Sequence, residues 1–215
     1  LNDLSKYQMI IAPALQDFDN DEPLKLIDYV KNGGTLYLSG SSDSRLIKEF
    51  FGGKVVGETY GEEPYTGVQL GARVYISPKE NCGVEFGEFN EEYPLPLTYY
   101  LPLMEGADGD VKATITLPFT PPDYNYRYAS IHSCPPWENT EYPAFIEKAY
   151  GKGKIYFCAY PIESDAGCQN GVISGDCARG LYRFYRECGL RNPEKTAVSD
   201  SPFICVTEHI KSEDE

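Results

Sequence analysis

The sequence predicts an α/β domain with a mainly parallel β-sheet, helices on both faces and an antiparallel β insertion at residues 55–125. Two observations carry this prediction. An apolar run at 7–13 is followed by a helical pattern and by a second apolar run at 35–39. That order, within about forty residues, is typical of a parallel βαβ unit. The insertion instead alternates apolar and polar residues between Pro- and Gly-rich stretches, which favours antiparallel strands.

The first strand and helix are each marked by their ends. Residues 7–13 (YQMIIAP) are apolar and β-branched up to a closing proline, which predicts a strand buried on both faces. An N-cap and early acidic residues at 19–23 precede a helix, and Gly33 and Gly34 end it. The helical spacing predicts a buried apolar stripe made of Leu24, Ile27 and Val30.

Three later segments complete the predicted domain. A short helix carries Leu46, Ile47, Phe50 and Phe51 and ends at Gly52. Residues 142–150 and 154–160 alternate around a glycine-bearing turn, which is typical of a β-hairpin. A last helix from Ser174, with apolar residues at i, i+3, i+4 and i+7, is expected to dock on the sheet. We expect one domain at 1–192, then a linker and the start of a following β domain at 193–215.

Composition excludes several classes of partner. Hydrophobic residues make up 41% of the 215, and the formal net charge is −14. No basic cluster is present, so we expect no nucleic-acid partner, because such binding depends on Lys and Arg neutralising phosphate. No apolar run approaches the length of about 18 residues that a membrane span needs, so we expect no membrane partner either.

The cysteines indicate a structural role. There are seven of them, with no C-x-x-C pair and only two histidines. This spacing does not match a zinc site, and we expect neither a metal nor a cofactor. Cys158 and Cys205 lie in apolar runs, which predicts small core side chains. Reduced thiols favour a cytoplasmic location.

Several segments carry a family resemblance: residues 3–13 (DLSKYQMIIAP), 30–38 (VKNGGTLYL), 129–136 (ASIHSCPP), 149–157 (AYGKGKIYF) and 160–163 (YPIE). In this order they resemble the class I glutamine-amidotransferase-like domain of large bacterial glycoside hydrolases, best known as the trimerisation domain of family 42 β-galactosidases. The resemblance implies a flavodoxin-like fold, a homo-oligomer, and a catalytic barrel elsewhere in the same chain. It also implies carbohydrate as the class of substrate of the parent protein.

The chemistry of that family requires residues that this sequence does not present in the expected pattern. An active amidotransferase needs a cysteine on a tight strand-to-helix elbow, G-x-C-x-G, with a histidine downstream to activate it. The nearest match surrounds Cys177 and lacks the glycine spacing. We therefore predict that Cys177 packs at a helix start and that this fragment contains no catalytic residue.

Three residues support an alternative hypothesis, a hydrolase acting on a glycoside or an amide. Ser41 follows a predicted strand at a turn, where hydrolase nucleophiles stand, and His132 is the base that would serve it. Glu163 follows another strand, and α/β sheets bind ligands beyond the carboxyl ends of their strands. The serines around Ser41 equally suit capping of a helix N-terminus.

The single tryptophan supports a third reading. Trp137 lies on a proline-stiffened loop, where it would stack on a sugar ring or anchor an interface. The candidate ligand-binding residues are therefore Ser41, His132, Trp137 and Glu163. The favoured function is a non-catalytic accessory or oligomerisation domain of a multidomain, β-galactosidase-like carbohydrate-active enzyme. A hydrolase and a sugar-binding module are the alternatives.

Overall fold

A computed structural model describes residues 3–13, 21–40, 44–59, 74–82, 89–97, 101–119 and 135–161. In chain order the elements are β1 (Met9–Pro13), α1 (Glu22–Lys31), β2 (Thr35–Ser39), α2 (Ser44–Phe51), β3 (Lys54–Glu58), β4 (Val74–Pro78), β5 (Leu95–Leu97), β6 (Pro102–Glu105), β7 (Asp110–Pro118), β8 (Pro136–Tyr150) and β9 (Gly153–Cys158). Seven strands form one mixed sheet in the order β1-β2-β9-β8-β7-β4-β5, and β3 pairs with β6 in a second sheet.

The predicted βαβ unit is confirmed. β1 and β2 are parallel neighbours joined through α1, and β9 is parallel to β2 on its other side. The prediction that the first strand is buried on both faces is wrong, because β1 is the edge strand of the described sheet and Ile11 is 46% exposed. The helical stripe is also corrected: Leu24 is exposed, whereas Leu26 and Tyr29 are buried beside Ile27 and Val30.

The prediction of a mainly parallel sheet is wrong. Four of the six strand pairings in the seven-stranded sheet are antiparallel. The antiparallel segments at 55–125 were expected as an insertion on the sheet, but three of them, β7, β4 and β5, extend the sheet itself. The hairpin of β8 and β9, which the sequence predicted, joins this antiparallel half to the parallel strands.

Helices on both faces are likewise not found in the described residues. Helices α1 and α2 contact each other, and α1 also contacts β2 and β9, so both lie on one side of the sheet. The helix predicted from Ser174 lies outside the described residues. Neither described helix is long and apolar enough to cross a bilayer.

The core lies between α2 and the middle of the sheet. All four apolar residues predicted for this helix are buried: Leu46, Ile47, Phe50 and Phe51. The ring centroids of Phe51 and Phe157, the latter on β9, lie 6.2 Å apart. Those of Phe50 and Tyr150 lie 4.9 Å apart in an edge-to-face arrangement. Aromatic contacts of this geometry stabilise a packed core beyond the burial of area alone. They fix α2 against the β8–β9 hairpin.

Candidate functional site

Three of the four predicted ligand-binding residues, Ser41, His132 and Glu163, lie outside the described residues, as does Cys177. The strands that precede Ser41 and Glu163 in the chain are described. They are β2 and β9, whose last residues Ser39 and Cys158 pair with each other, and the Gly40 amide donates to the Cys158 carbonyl at 2.9 Å. Both strands thus end at the same edge of the sheet, and the roles of Ser41, His132 and Glu163 stay predictions.

Trp137 lies in a strand, whereas the sequence predicted a loop. It is the second residue of β8 and is 46% exposed. Cys158, the last residue of β9, pairs with Phe145, so β8 runs on for nine more residues, back to Pro136, beside β7. Register shifts in β8 shorten this extension, because β7 advances only from Ala113 to Leu117 while β8 goes from Phe145 to Glu138. At about 3.3 Å per residue of β7, Trp137 stands roughly 15 Å beyond the end of β9. This places it on the part of the β7–β8 ribbon that extends past β9.

The prediction for Cys158 is confirmed. Its side chain is only 2% exposed, among the apolar side chains of β9. Cys82 is half-buried. Within the described ranges, no three His, Cys, Asp or Glu side chains are grouped so that they would hold a metal ion.

A cleft of about 530 Å³ lies between α1 and the segment that leads into β1. One wall is residues 4–8, and the other is the exposed face of the helix together with Gly33 and Gly34. The helical wall consists of Lys25, Asp28, Tyr29 and Asn32, which recur at i, i+3, i+4 and i+7 and so share one face. The cleft therefore opens at the amino ends of the parallel strands, opposite the edge where the sequence placed a ligand.

Tyr29 ties the two walls of this cleft together. Its hydroxyl donates to the carbonyl of Tyr7 at 2.9 Å and lies 3.4 Å from that of Thr35. Its ring lies flat against Gly34, where a Cβ atom would come within 2.2 Å of the ring. Burial raises the pKa of the Tyr29 phenol, so the hydroxyl remains a proton donor at neutral pH. The segment before β1 is thus held in a defined place.

The helix end that borders the cleft has its carbonyl groups satisfied. The Asp28 carbonyl accepts from the Asn32 amide at 3.0 Å and from the Asn32 side chain at 2.8 Å. The Tyr29 and Val30 carbonyls accept from Gly34 and Gly33. The helical wall of the cleft is therefore a rigid surface rather than a frayed helix end.

Sequence reasoning missed this cleft. Its polar helix face was visible as the spacing of Lys25, Asp28 and Asn32, but such a face is ordinarily only solvated. What makes it one wall of a cleft is the segment at 4–8, which the Tyr29 hydrogen bond brings alongside. That contact joins residues 22 positions apart and is not readable from periodicity.

No family model matches this chain, and no curated protein matches it at a significant level. Solved structures share its fold. An α-L-fucosidase (isoenzyme 2) from Paenibacillus thiaminolyticus matches with a TM-score of 0.56 and 18% identity over 87% of this chain. A β-galactosidase from Bacillus circulans sp. alkalophilus has a TM-score of 0.53 and 14% identity over 86%. One from Rahnella sp. R3 has a TM-score of 0.52 and 17% identity over 86%.

This chain spans only part of each of those proteins. The match covers 26% of the fucosidase and 23% of each β-galactosidase. At these identities the comparison establishes a common fold. The resemblance to β-galactosidases seen in the sequence is thus supported by structural neighbours that are glycoside hydrolases.

Proposed function

We propose that this chain is a non-catalytic accessory or oligomerisation domain of a multidomain carbohydrate-active enzyme. The observation that carries the proposal is the fold shared with three glycosidases, each of which is about four times as long as the matched part. The sequence resemblance to the amidotransferase-like trimerisation domain of β-galactosidases supports the same role. The absence of a G-x-C-x-G elbow from the sequence also supports a non-catalytic role.

The β7–β8 ribbon is the surface that we assign to an interface. Trp137 lies at the start of β8, half-exposed, and large aromatic side chains contribute disproportionately to protein association. The end of this ribbon extends past β9, so a partner reaches it there without displacing the core. The whole chain carries a net charge of −14, so its copies repel one another, and we expect the burial of Trp137 to oppose this repulsion.

The oligomeric state of the chain tests this role. We expect light scattering to show a dimer or trimer, and Trp137→Ala to shift it towards monomer. Tyr93→Ala is the matched control, because Tyr93 is 73% exposed but lies on a separate turn before β5. A wild-type chain and parent protein that are both monomeric would contradict an oligomerisation role.

Activity assays separate this role from the hydrolase alternative. We expect the chain to leave chromogenic galactosides and fucosides unhydrolysed. Turnover that is lost on Ser41→Ala or His132→Ala would overturn the proposal and make the fragment itself an enzyme. The melting temperature of each variant is measured as a control, and a loss of turnover counts as chemical only where that temperature matches the wild type.

A further inference from the structure

We propose that the cleft between residues 4–8 and α1 is a binding site for a neutral saccharide. The inference rests on the proposed function in one respect, since it assumes that the parent protein meets carbohydrate. The volume of the cleft, about 530 Å³, lies within the range of about 300–1,000 Å³ that is usual for small-ligand sites. The cleft lies away from the β7–β8 ribbon, the surface assigned above to oligomerisation, and shares no residue with it.

The side chains of the cleft match the two surfaces of a sugar ring. Tyr7 lines it and is 59% exposed, so an aromatic face is available to the polarised C–H groups of a pyranose. Asp28 and Asn32 lie one turn apart on the helical wall. Asp28 offers its carboxylate to ring hydroxyls, and Asn32 offers its side-chain oxygen and one N–H, since the other N–H is donated to the Asp28 carbonyl.

The cleft offers both hydrogen-bond donors and hydrogen-bond acceptors. Lys6 and Lys25 contribute ammonium groups, and Asp28 contributes a carboxylate. Because a sugar hydroxyl both donates and accepts, this mixture suits a neutral saccharide. The ammonium groups are donors that complement the acceptor lone pairs of a sugar.

The cleft is preorganised. The Tyr29 hydrogen bond to the Tyr7 carbonyl holds one wall, and the satisfied carbonyls of the helix end hold the other. The backbone of both walls is therefore ordered before a ligand arrives, and little conformational entropy is lost on binding. Tyr29 acts here as a positioning residue, because its hydroxyl donates to the main chain.

Amide chemical-shift mapping of the whole chain tests the inference. Four sugars are tested: galactose, fucose, mannose and lactose. We expect at least one of them to shift resonances of residues 4–8 and 25–34 with a millimolar dissociation constant. Tyr7→Ala and Asp28→Ala should each weaken binding by about tenfold or more, and Tyr93→Ala should leave it unchanged. Tyr29→Phe should weaken it while retaining the aromatic ring.

Two results would overturn the inference: no shifts at the cleft with any of the four sugars, or shifts confined to the β7–β8 ribbon. Tyr7→Ala also separates the inference from the proposed function, because it should leave the oligomeric state unchanged. A chain that binds a sugar at the cleft and is monomeric would refute the oligomerisation role alone. An oligomer without sugar binding would refute the saccharide site alone.

Discussion

Gly153 packs against Gly34 so closely that a Cβ atom at position 153 would lie 2.2 Å from the Gly34 carbonyl oxygen. The same atom would lie 2.3 Å from the carbonyl oxygen of Val30. Two backbone hydrogen bonds close this junction, from the Lys154 amide to Gly34 at 3.2 Å and from the Lys152 amide to Lys31 at 3.0 Å. The β8–β9 turn therefore meets the end of α1 backbone to backbone, and this contact holds the hairpin next to the βαβ unit.

The first prediction is that Gly153→Ala destabilises the chain by about 1–3 kcal/mol or more, because overpacking against main-chain atoms cannot be relieved by a rotamer change. Chemical denaturation measures the change. Gly57→Ala is the control: a Cβ atom there meets nothing within 4 Å, and stability should change little. Equal effects of the two substitutions would show that the junction tolerates a side chain.

The second prediction concerns pH. Burial raises the pKa of Tyr150 to about 12, helped by its hydrogen bond to the Glu49 carboxylate and by the charges of Glu49 and Asp28. Because the folded state holds this proton more tightly than the unfolded chain, the stabilisation is complete below pH 10 and is lost as the pH rises from about 10 to about 12.

Tyr150→Phe removes this proton and keeps the edge contact with Phe50. At neutral pH we expect the variant to be less stable by about 0.5–1.5 kcal/mol, the usual value of one hydrogen bond. Urea unfolding at several pH values should show the gap between wild type and variant closing in the alkaline range. A gap that stays constant up to pH 12 would contradict the raised pKa.

The third prediction addresses a buried polar network across β4, β7 and β8. The hydroxyls of Ser77 and Thr116 lie 2.5 Å apart, and Thr116 donates to the Asn139 side chain at 3.0 Å. Thr116→Val should cost about 1–3 kcal/mol, because it leaves the buried Ser77 hydroxyl without this partner. A double-mutant cycle with Ser77→Ala measures the coupling between the two hydroxyls. We expect the double variant to lose less free energy of unfolding than the sum of the losses of the two single variants. Strict additivity would contradict the coupling.

The fourth prediction compares two ion pairs. Glu147 Oε1 lies 2.5 Å from Lys154 Nζ, and the Glu147 side chain is only 13% exposed. Glu147→Gln should therefore lower the free energy of unfolding by about 1–3 kcal/mol. Lys148→Met is the control, because Lys148 pairs at 3.0 Å with an Asp108 that is 82% exposed, and such pairs contribute at most about 1 kcal/mol. A larger loss for Lys148→Met would reverse this ranking.

Local elements of this protein are determined by its sequence alone. The βαβ order, the four buried residues of α2 and the β8–β9 hairpin all follow from periodicity and glycine turns within a few residues. Hydrophobic periodicity reports on neighbours along one element, so these were predicted correctly. It does not report which strand lies beside which, and for this reason the mainly parallel sheet was predicted wrongly.

Only the tertiary structure decided the strand order, the edge position of β1 and the cleft. Each depends on contacts between distant residues: Tyr29 with Tyr7, Gly153 with Gly34, and Tyr150 with Glu49, 101 positions away. Exposure of Leu24 has the same origin, since the buried face of α1 is set by β2, β9 and α2 rather than by its own spacing. The physical reason is that burial and register are properties of the packed neighbours, which no local pattern encodes.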